Sequence, residues 1–218
     1  MTRIHLITTC SRRKSVPAGD NIFPSSAASL PAALDLWRKQ ISVASTGADL
    51  LTTNSLYHSD HWRRAQRIAD TSPRIELWVI SAGLGLRHAC DPAVPYEATF
   101  HDIPYPPQDV WARLTQVPPL PGRCASLTDV MRCHPEDTFV VAGSPIYISA
   151  VENDIQAGLS ALSRPEQVMI VTSKGYNGTL LSYVQYSHAG MLSELHTNMT
   201  CLNIAYAGIL VGQLLKGE

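Results

Sequence analysis

Four short apolar runs constrain this chain more than anything else in it: RIHLITT (3–9), RIELWVIS (74–81), DTFVVAGS (137–144) and EQVMIVTS (166–173). Each is of strand length and ends in small or hydroxylated residues, and helical patterns separate them. Continuous apolar runs, rather than strict alternation, are what a strand covered on both sheet faces requires. Strands alternating with helices predict an α/β fold: one domain over 1–218, with a mainly parallel sheet of four to five strands flanked by helices.

The helical segments follow from spacing and end signals. In PAALDLWRKQISV, Leu34, Trp37 and Ile41 share one face and Pro31 suits the first turn. In SDHWRRAQRIAD (59–70), Ser59 is an N-cap and Trp62, Ala65, Ile68 and Ala69 form the apolar stripe. PIYISAVENDIQAGLSAL predicts a third helix, and TCLNIAYAGILVGQLLK a largely buried last one. Gly208 and Gly212 in that last helix suit either close packing in the core or a homodimer face. AGLGL after the second strand is a tight turn. Residues 91–122 are rich in proline and are expected to form a long loop that lines or covers a site.

Composition excludes several classes. Of 218 residues, 45 % are hydrophobic and 16 % charged, and the formal net charge is −1, so bulk electrostatics does not hold this protein to nucleic acid. The five cysteines (Cys10, Cys90, Cys124, Cys133 and Cys201) include no C-x-x-C pair, hence neither a zinc knuckle nor a redox motif is signalled, and no metal or other cofactor is expected. No leader pattern opens the sequence and no apolar run is read as spanning a membrane, which together predict a reduced, cytoplasmic protein.

In a parallel α/β sheet, ligands bind beyond the carboxyl ends of the strands. Here those ends carry TTCSRRK, SAGLGL, AGSPIY and TSKGYNG. Lys14 is a candidate nucleophile if burial or Arg12 and Arg13 lower its pKa, and otherwise a solvated cation. Cys10 is a nucleophile or a packing residue. Tyr57, Ser59 and His61 lie at the opening of a helix, where an anion or carbonyl is readily held; His58 and His61 alone are too few for a metal. Glu97 is a general acid/base or a surface charge. AGLGL is not a dinucleotide fingerprint, and TSKG lacks the rest of a phosphate loop.

In order, the chain contains C-S-x-x-K (Cys10, Ser11, Lys14), L-Y-x-S (Leu56, Tyr57, Ser59), W-V-I-S-A-G-L-G-L (78–86), P-Y-E-A-T-F (95–100) and A-G-S-x-x-Y (142–147). This set resembles a family of largely bacterial and phage domains related to the catalytic domain of archaeosine synthase, which is allied to tRNA-guanine transglycosylases. The resemblance covers residues 1–155 and leaves 156–218 unplaced. It implies a uracil-DNA-glycosylase-like fold and an enzyme acting on a purine or 7-deazapurine nucleobase or nucleoside, with Lys14 as nucleophile or electrostatic catalyst. Cys10 and Ser11 would then fix the loop, and Tyr57, Ser59 and His61 would orient substrate. Ser81, Gly83, Gly85 and Tyr96 would pack against the base, Glu97 would move a proton, and Gly143, Ser144 and Tyr147 would close the far wall. Archaeosine synthase continues Lys-Pro-Tyr where this chain has Lys14-Ser15-Val16, so the nitrile chemistry of that enzyme is not carried over. An N-glycosidase or glycosyltransferase centred on Glu97 is the alternative activity, and a nucleotide-binding sensor in phage defence the non-catalytic one. Expected partners are a small nucleobase, nucleoside or nucleotide, with tRNA or DNA only through a partner protein.

Overall fold

A computed structural model describes residues 2–47 and 50–217. Strand β1 (Ile4–Thr9) sits in the middle of the sheet with Ile4, Leu6 and Ile7 buried. On one side it pairs in parallel with β3 (Ile75–Ser81), and on the other with β6 (Thr138–Ala142). Beyond β6 lie β7 (Val168–Ser173) and β8 (Val184–Ser187), both parallel. Beyond β3 lies β4 (Gly85–His88), which runs antiparallel. Two short strands, β2 (Leu51–Thr52) and β5 (Pro92–Ala93), pair apart from this sheet.

The fold is therefore α/β as expected, but its sheet has six strands in the order β4-β3-β1-β6-β7-β8 rather than four to five. The extra strands are the edges. In β4, Gly85 at φ +75° turns the chain straight back along β3, which the AGLGL glycines permit. In β8, VQYS is short and half exposed, as edge strands are, so it carries little hydrophobic signal.

Helix α1 (Leu30–Ser45) buries Leu34, Trp37 and Ile41, and Ser29 caps it. A single turn, α2 (Thr53–Leu56), leads to α3 (Asp60–Ala69), capped by Ser59 as expected. The proline-rich stretch is not one loop. It contains α4 (Pro107–Gln116), where Pro107 opens the helix and Val110, Trp111 and Leu114 supply a buried face at i, i+1, i+4. Helix α5 (Leu127–Cys133) follows, held by Asp154 of α6 (Pro145–Leu159), whose carboxylate accepts from the Leu127 and Thr128 backbone amides at 2.9 Å. The last helix, α7 (Leu202–Lys216), packs on β6, β7 and α3.

In length and composition the stretch Met199–Lys216 does reach what a membrane crossing needs, contrary to the expectation. In this fold its inner face (Ile204, Ala207, Val211) is buried in the core. Of its two glycines, Gly208 serves close packing: an added Cβ would lie 2.9 Å from Ile68 Cδ1 of α3. Gly212 faces open space.

The order of the strands positions the site. From β1 the chain moves first to β3 on one side and later to β6 on the other, so adjacent loops diverge beyond β1 and β6. That reversal is where open α/β sheets form their ligand crevice.

Candidate functional site: a cleft at the strand reversal and a half-buried lysine beside it

Cys10 extends β1 by one residue, its N–H donating to Ile80 O at 3.0 Å. The chain then turns outward, with Ser11 Oγ donating to Arg13 O at 2.7 Å. Residues 13–15 pair with 56–58: His58 N–H donates to Arg13 O, Ser15 N–H donates to Leu56 O, and Lys14 faces Tyr57 in an antiparallel bridge. This pairing folds Lys14 inward. Its ammonium lies 4.2 Å from the centre of the Tyr96 ring and donates to Arg12 O at 3.4 Å. Burial lowers the Lys14 pKa below the ordinary lysine value; Cys10 and Glu97 oppose that shift and Arg12 adds to it.

Beneath the lysine is a closed hydroxyl chain. Tyr57 OH is 2.9 Å from Tyr96 OH, which is 2.6 Å from Ser81 Oγ. All three residues are buried, and burial raises both phenol pKa values, so they are neutral donors and acceptors. Ser81 Oγ also accepts from the Leu84 amide at 2.9 Å and thereby holds the β3–β4 turn. Tyr96 lies flat against Gly83, where an added Cβ would come within 2.6 Å of the ring, and Trp37 Nε1 donates to Gly83 O at 2.6 Å. Ser81, Gly83, Tyr57 and Tyr96 thus form a packed, buried floor under Lys14, while Gly85 sits against Leu114.

The open cleft is on the other side of Cys10, over β1 and β6. It measures about 500 Å³ and is lined by Cys10 to Arg13, by Ser59 to His61, by Gly143 and Ser144, and by Met199, Thr200 and Asn203. Gly143 is required there, because a Cβ would meet Thr9 Cγ2 at 2.9 Å. Two helices begin at this cleft. Ser59 caps α3 by accepting from the Trp62 amide at 3.2 Å. Ser144 occupies the cap position of α6, yet its hydroxyl accepts no capping bond. Both amino-terminal dipole ends, with Arg12 and Arg13, favour an anion.

His61 Nε2 lies 2.7 Å from Thr8 Oγ1, and the same hydroxyl lies 3.2 Å from Ala142 O. Burial pulls the His61 pKa down to about 4, opposed by a hydrogen bond to the Thr200 carbonyl, so the ring is neutral at pH 7. Tyr147, in the first turn of α6, places its OH 3.4 Å from Cys10 Sγ, and its ring packs edge-on against Phe100 at 5.0 Å. Glu97 stands outside the cleft lining. Its carboxylate is half exposed and pairs with Arg12 at 3.6 Å, while Arg12 also reaches Asp102 at 3.8 Å.

The candidates therefore divide into two groups that meet at Cys10. Cys10, Ser11, Ser59, His61, Gly143 and Ser144 line the cleft, whereas Lys14, Tyr57, Ser81, Gly83 and Tyr96 form the packed cluster behind it. One wall residue carried no signal in the sequence. Asn203, in the first turn of α7, donates from Nδ2 to Gly143 O at 2.7 Å and accepts from Ser187 Oγ at 2.6 Å. It ties β6, β8 and α7 together at the cleft, and nothing in TCLNIAY announces it.

His5, His134 and Asp137, at the opposite end of the sheet, place their ligand atoms within 4.8 Å of one another. Their hydrogen bonds argue against a metal there. The Trp78 indole N–H donates to His5 Nδ1 at 3.0 Å, so the ring proton sits on Nε2 and is donated to Asp137 Oδ2 at 3.0 Å. A metal on Nε2 would leave an imidazolate. No protein-family model, no curated protein and no solved structure matches the chain.

Proposed function

We propose that this protein is an enzyme acting on a purine-type nucleobase or nucleoside, with Lys14 as its nucleophile or electrostatic catalyst. One observation carries the reading. Lys14 is a half-buried cation held against the Tyr96 ring behind Cys10, beside the crevice at the strand reversal, and partial burial there lowers its pKa. The resemblance of the C-S-x-x-K and L-Y-x-S segments to archaeosine synthase relatives, and with it a glycosylase-like kinship of the fold, belongs to this same reading. Where the nucleoside is presented as a nucleotide or within a polynucleotide, Arg13 and the starts of α3 and α6 hold its phosphate. Neutral His61 and the Ser144 hydroxyl supply hydrogen bonds. The five cysteines are free thiols, which supports a reducing, cytoplasmic setting.

As a nucleophile Lys14 leaves the Tyr96 face and enters the cleft as the free amine, whereas as an electrostatic catalyst it acts in place as the ammonium. The pH–rate profile separates these roles. A nucleophile makes the rate rise with pH through a pKa below the usual 10.5, and an electrostatic catalyst makes it fall over the same range.

The glycosidase alternative places the work on Glu97, whose carboxylate lies in the field of Lys14 and Arg12. The test is a nucleoside profile by liquid chromatography and mass spectrometry. Wild type, Lys14→Ala and Glu97→Gln are incubated with total tRNA, genomic DNA, free nucleosides and 7-deazaguanine bases. The reading expects a new mass with wild type and a loss of at least about a hundredfold in Lys14→Ala with an unchanged melting curve. Free base released by wild type and abolished by Glu97→Gln establishes the glycosidase instead. Ligand bound but unchanged by all three proteins establishes the sensor.

A further inference from the structure

The cleft at the strand reversal does not end at β6. A second lobe of about 420 Å³ continues it across the carboxyl ends of β7 and β8, and the two share Ser144, Met199 and Asn203. The second lobe adds an apolar wall from Pro145, Ala189 and Leu202, and a polar one from Ser173, Lys174, Ser187 and His188. Resting on the reading of this site as a nucleotide-type pocket, we propose that the second lobe is a further phosphate subsite. The ligand is then dinucleotide-like, carrying two phosphates one nucleotide unit apart, rather than a lone nucleoside.

The distribution of charge supports this. Arg12 and Arg13 stand after β1 and Lys174 after β7, two strand spacings away, about 10 Å. That exceeds what the P–O–P linkage of one diphosphate spans. The cleft lining contains one carboxylate, Asp60, and Arg63 holds it at 2.6 Å. Among the described residues the second lobe is lined by none. A chain with net charge −1 therefore presents cations at both ends of one groove.

The second lobe is also built in advance. Glu152 of α6 accepts from Tyr176 OH at 2.9 Å and from the Thr179 amide and hydroxyl at 2.7 Å, which pins the loop carrying Lys174. Gly178 fits because an added Cβ would clash with Glu152 Oε2. The saddle between the lobes is fixed by Asn203, bonded to Gly143 O on one side and to Ser187 on the other. A groove whose backbone is fixed beforehand leaves only the exposed side chains to be ordered on binding.

Calorimetric titration tests this with four probes: guanosine monophosphate, guanosine diphosphate, the 5′-phosphorylated dinucleotide pGpG and its cyclic form. At least one dinucleotide is expected to bind about tenfold more tightly than both mononucleotides, and the better of the two identifies a linear or a cyclic source. Lys174→Ala removes that gain and leaves mononucleotide affinity unchanged, while Lys174→Arg retains it. Lys174 is exposed and its side chain makes no bond among the described residues, so its loss leaves the fold intact. Dinucleotides no tighter than guanosine monophosphate, or a gain that survives Lys174→Ala, overturn the inference and leave the nucleotide reading standing. Failure of all four to bind wild type overturns both.

Discussion

The two ends of the sheet are both polar, but they are polar in opposite ways. At the amino-terminal end the buried imidazoles and the carboxylates beside them are all partnered. His5 lies between the Trp78 indole and Asp137, Asp137 Oδ1 accepts from the Arg3 amide at 2.8 Å, and His88 Nε2 donates to Glu76 at 2.7 Å with Arg3 and Arg123 paired to the same carboxylate. At the carboxyl-terminal end the polar groups are under-engaged. Lys14 has one long bond to a backbone carbonyl, Arg12 is shared between two distant carboxylates, and the Ser144 hydroxyl caps nothing. Saturated polar groups hold the fold together, and unsaturated ones beside a cleft are available to a ligand.

Acid sharpens this contrast most. Burial lowers the pKa of His5 and His88 to about 4, each from 6.5. Between those values the unfolded chain takes up protons that the folded chain refuses, so stability is full above pH 6.5 and is lost as pH falls toward 4. Each imidazole contributes on the order of 3 kcal/mol to that loss. Urea unfolding at pH 7 and pH 4.5 reads it, with a His61→Asn variant removing the like contribution of His61 at the cleft end, and a flat profile in that variant would break the description of the amino-terminal end.

Next in size is Asp137→Ala. It leaves the buried His5 Nε2–H and the Arg3 amide without an acceptor, at a cost of about 3 kcal/mol, with ligand binding at the far end unchanged. Chemical denaturation together with the nucleotide titration measures both halves. Smallest is Ser144→Ala, expected to change stability by no more than about 0.5 kcal/mol because the hydroxyl makes no capping bond, while weakening ligand binding several-fold. A large stability loss without a binding effect would assign Ser144 to the scaffold and erase the contrast.

The extent to which all this was legible differs by region. The long runs around Leu6, Val79, Val140 and Ile170 identify the parallel strands because burial on both faces leaves no alternation to misread. Ser59 and Pro31 mark helix starts because capping is a local effect. Helix α4 was hidden by its setting, since Pro106 and Pro107 read as loop although the second of them opens the helix. The edge strands β4 and β8 were missed because half-exposed pairing leaves little hydrophobic trace. Within the site, Cys10, Lys14 and Tyr57 were legible as residue types, but the bridge that sets Lys14 beside Tyr57 joins residues far apart in the chain.

What the sequence by itself determined is the class of fold and the chemistry available at the strand ends, since both follow from short-range pattern. Only the tertiary structure decided which ends share a cleft. The reversal of strand order at β1 brings the residues after β1 and β6 together, and Asn203 from the last helix closes the wall. It also decided that Ser81, Gly83 and Tyr96 pack together as a buried floor. Those outcomes depend on pairing between segments separated by many tens of residues, and no local preference encodes that.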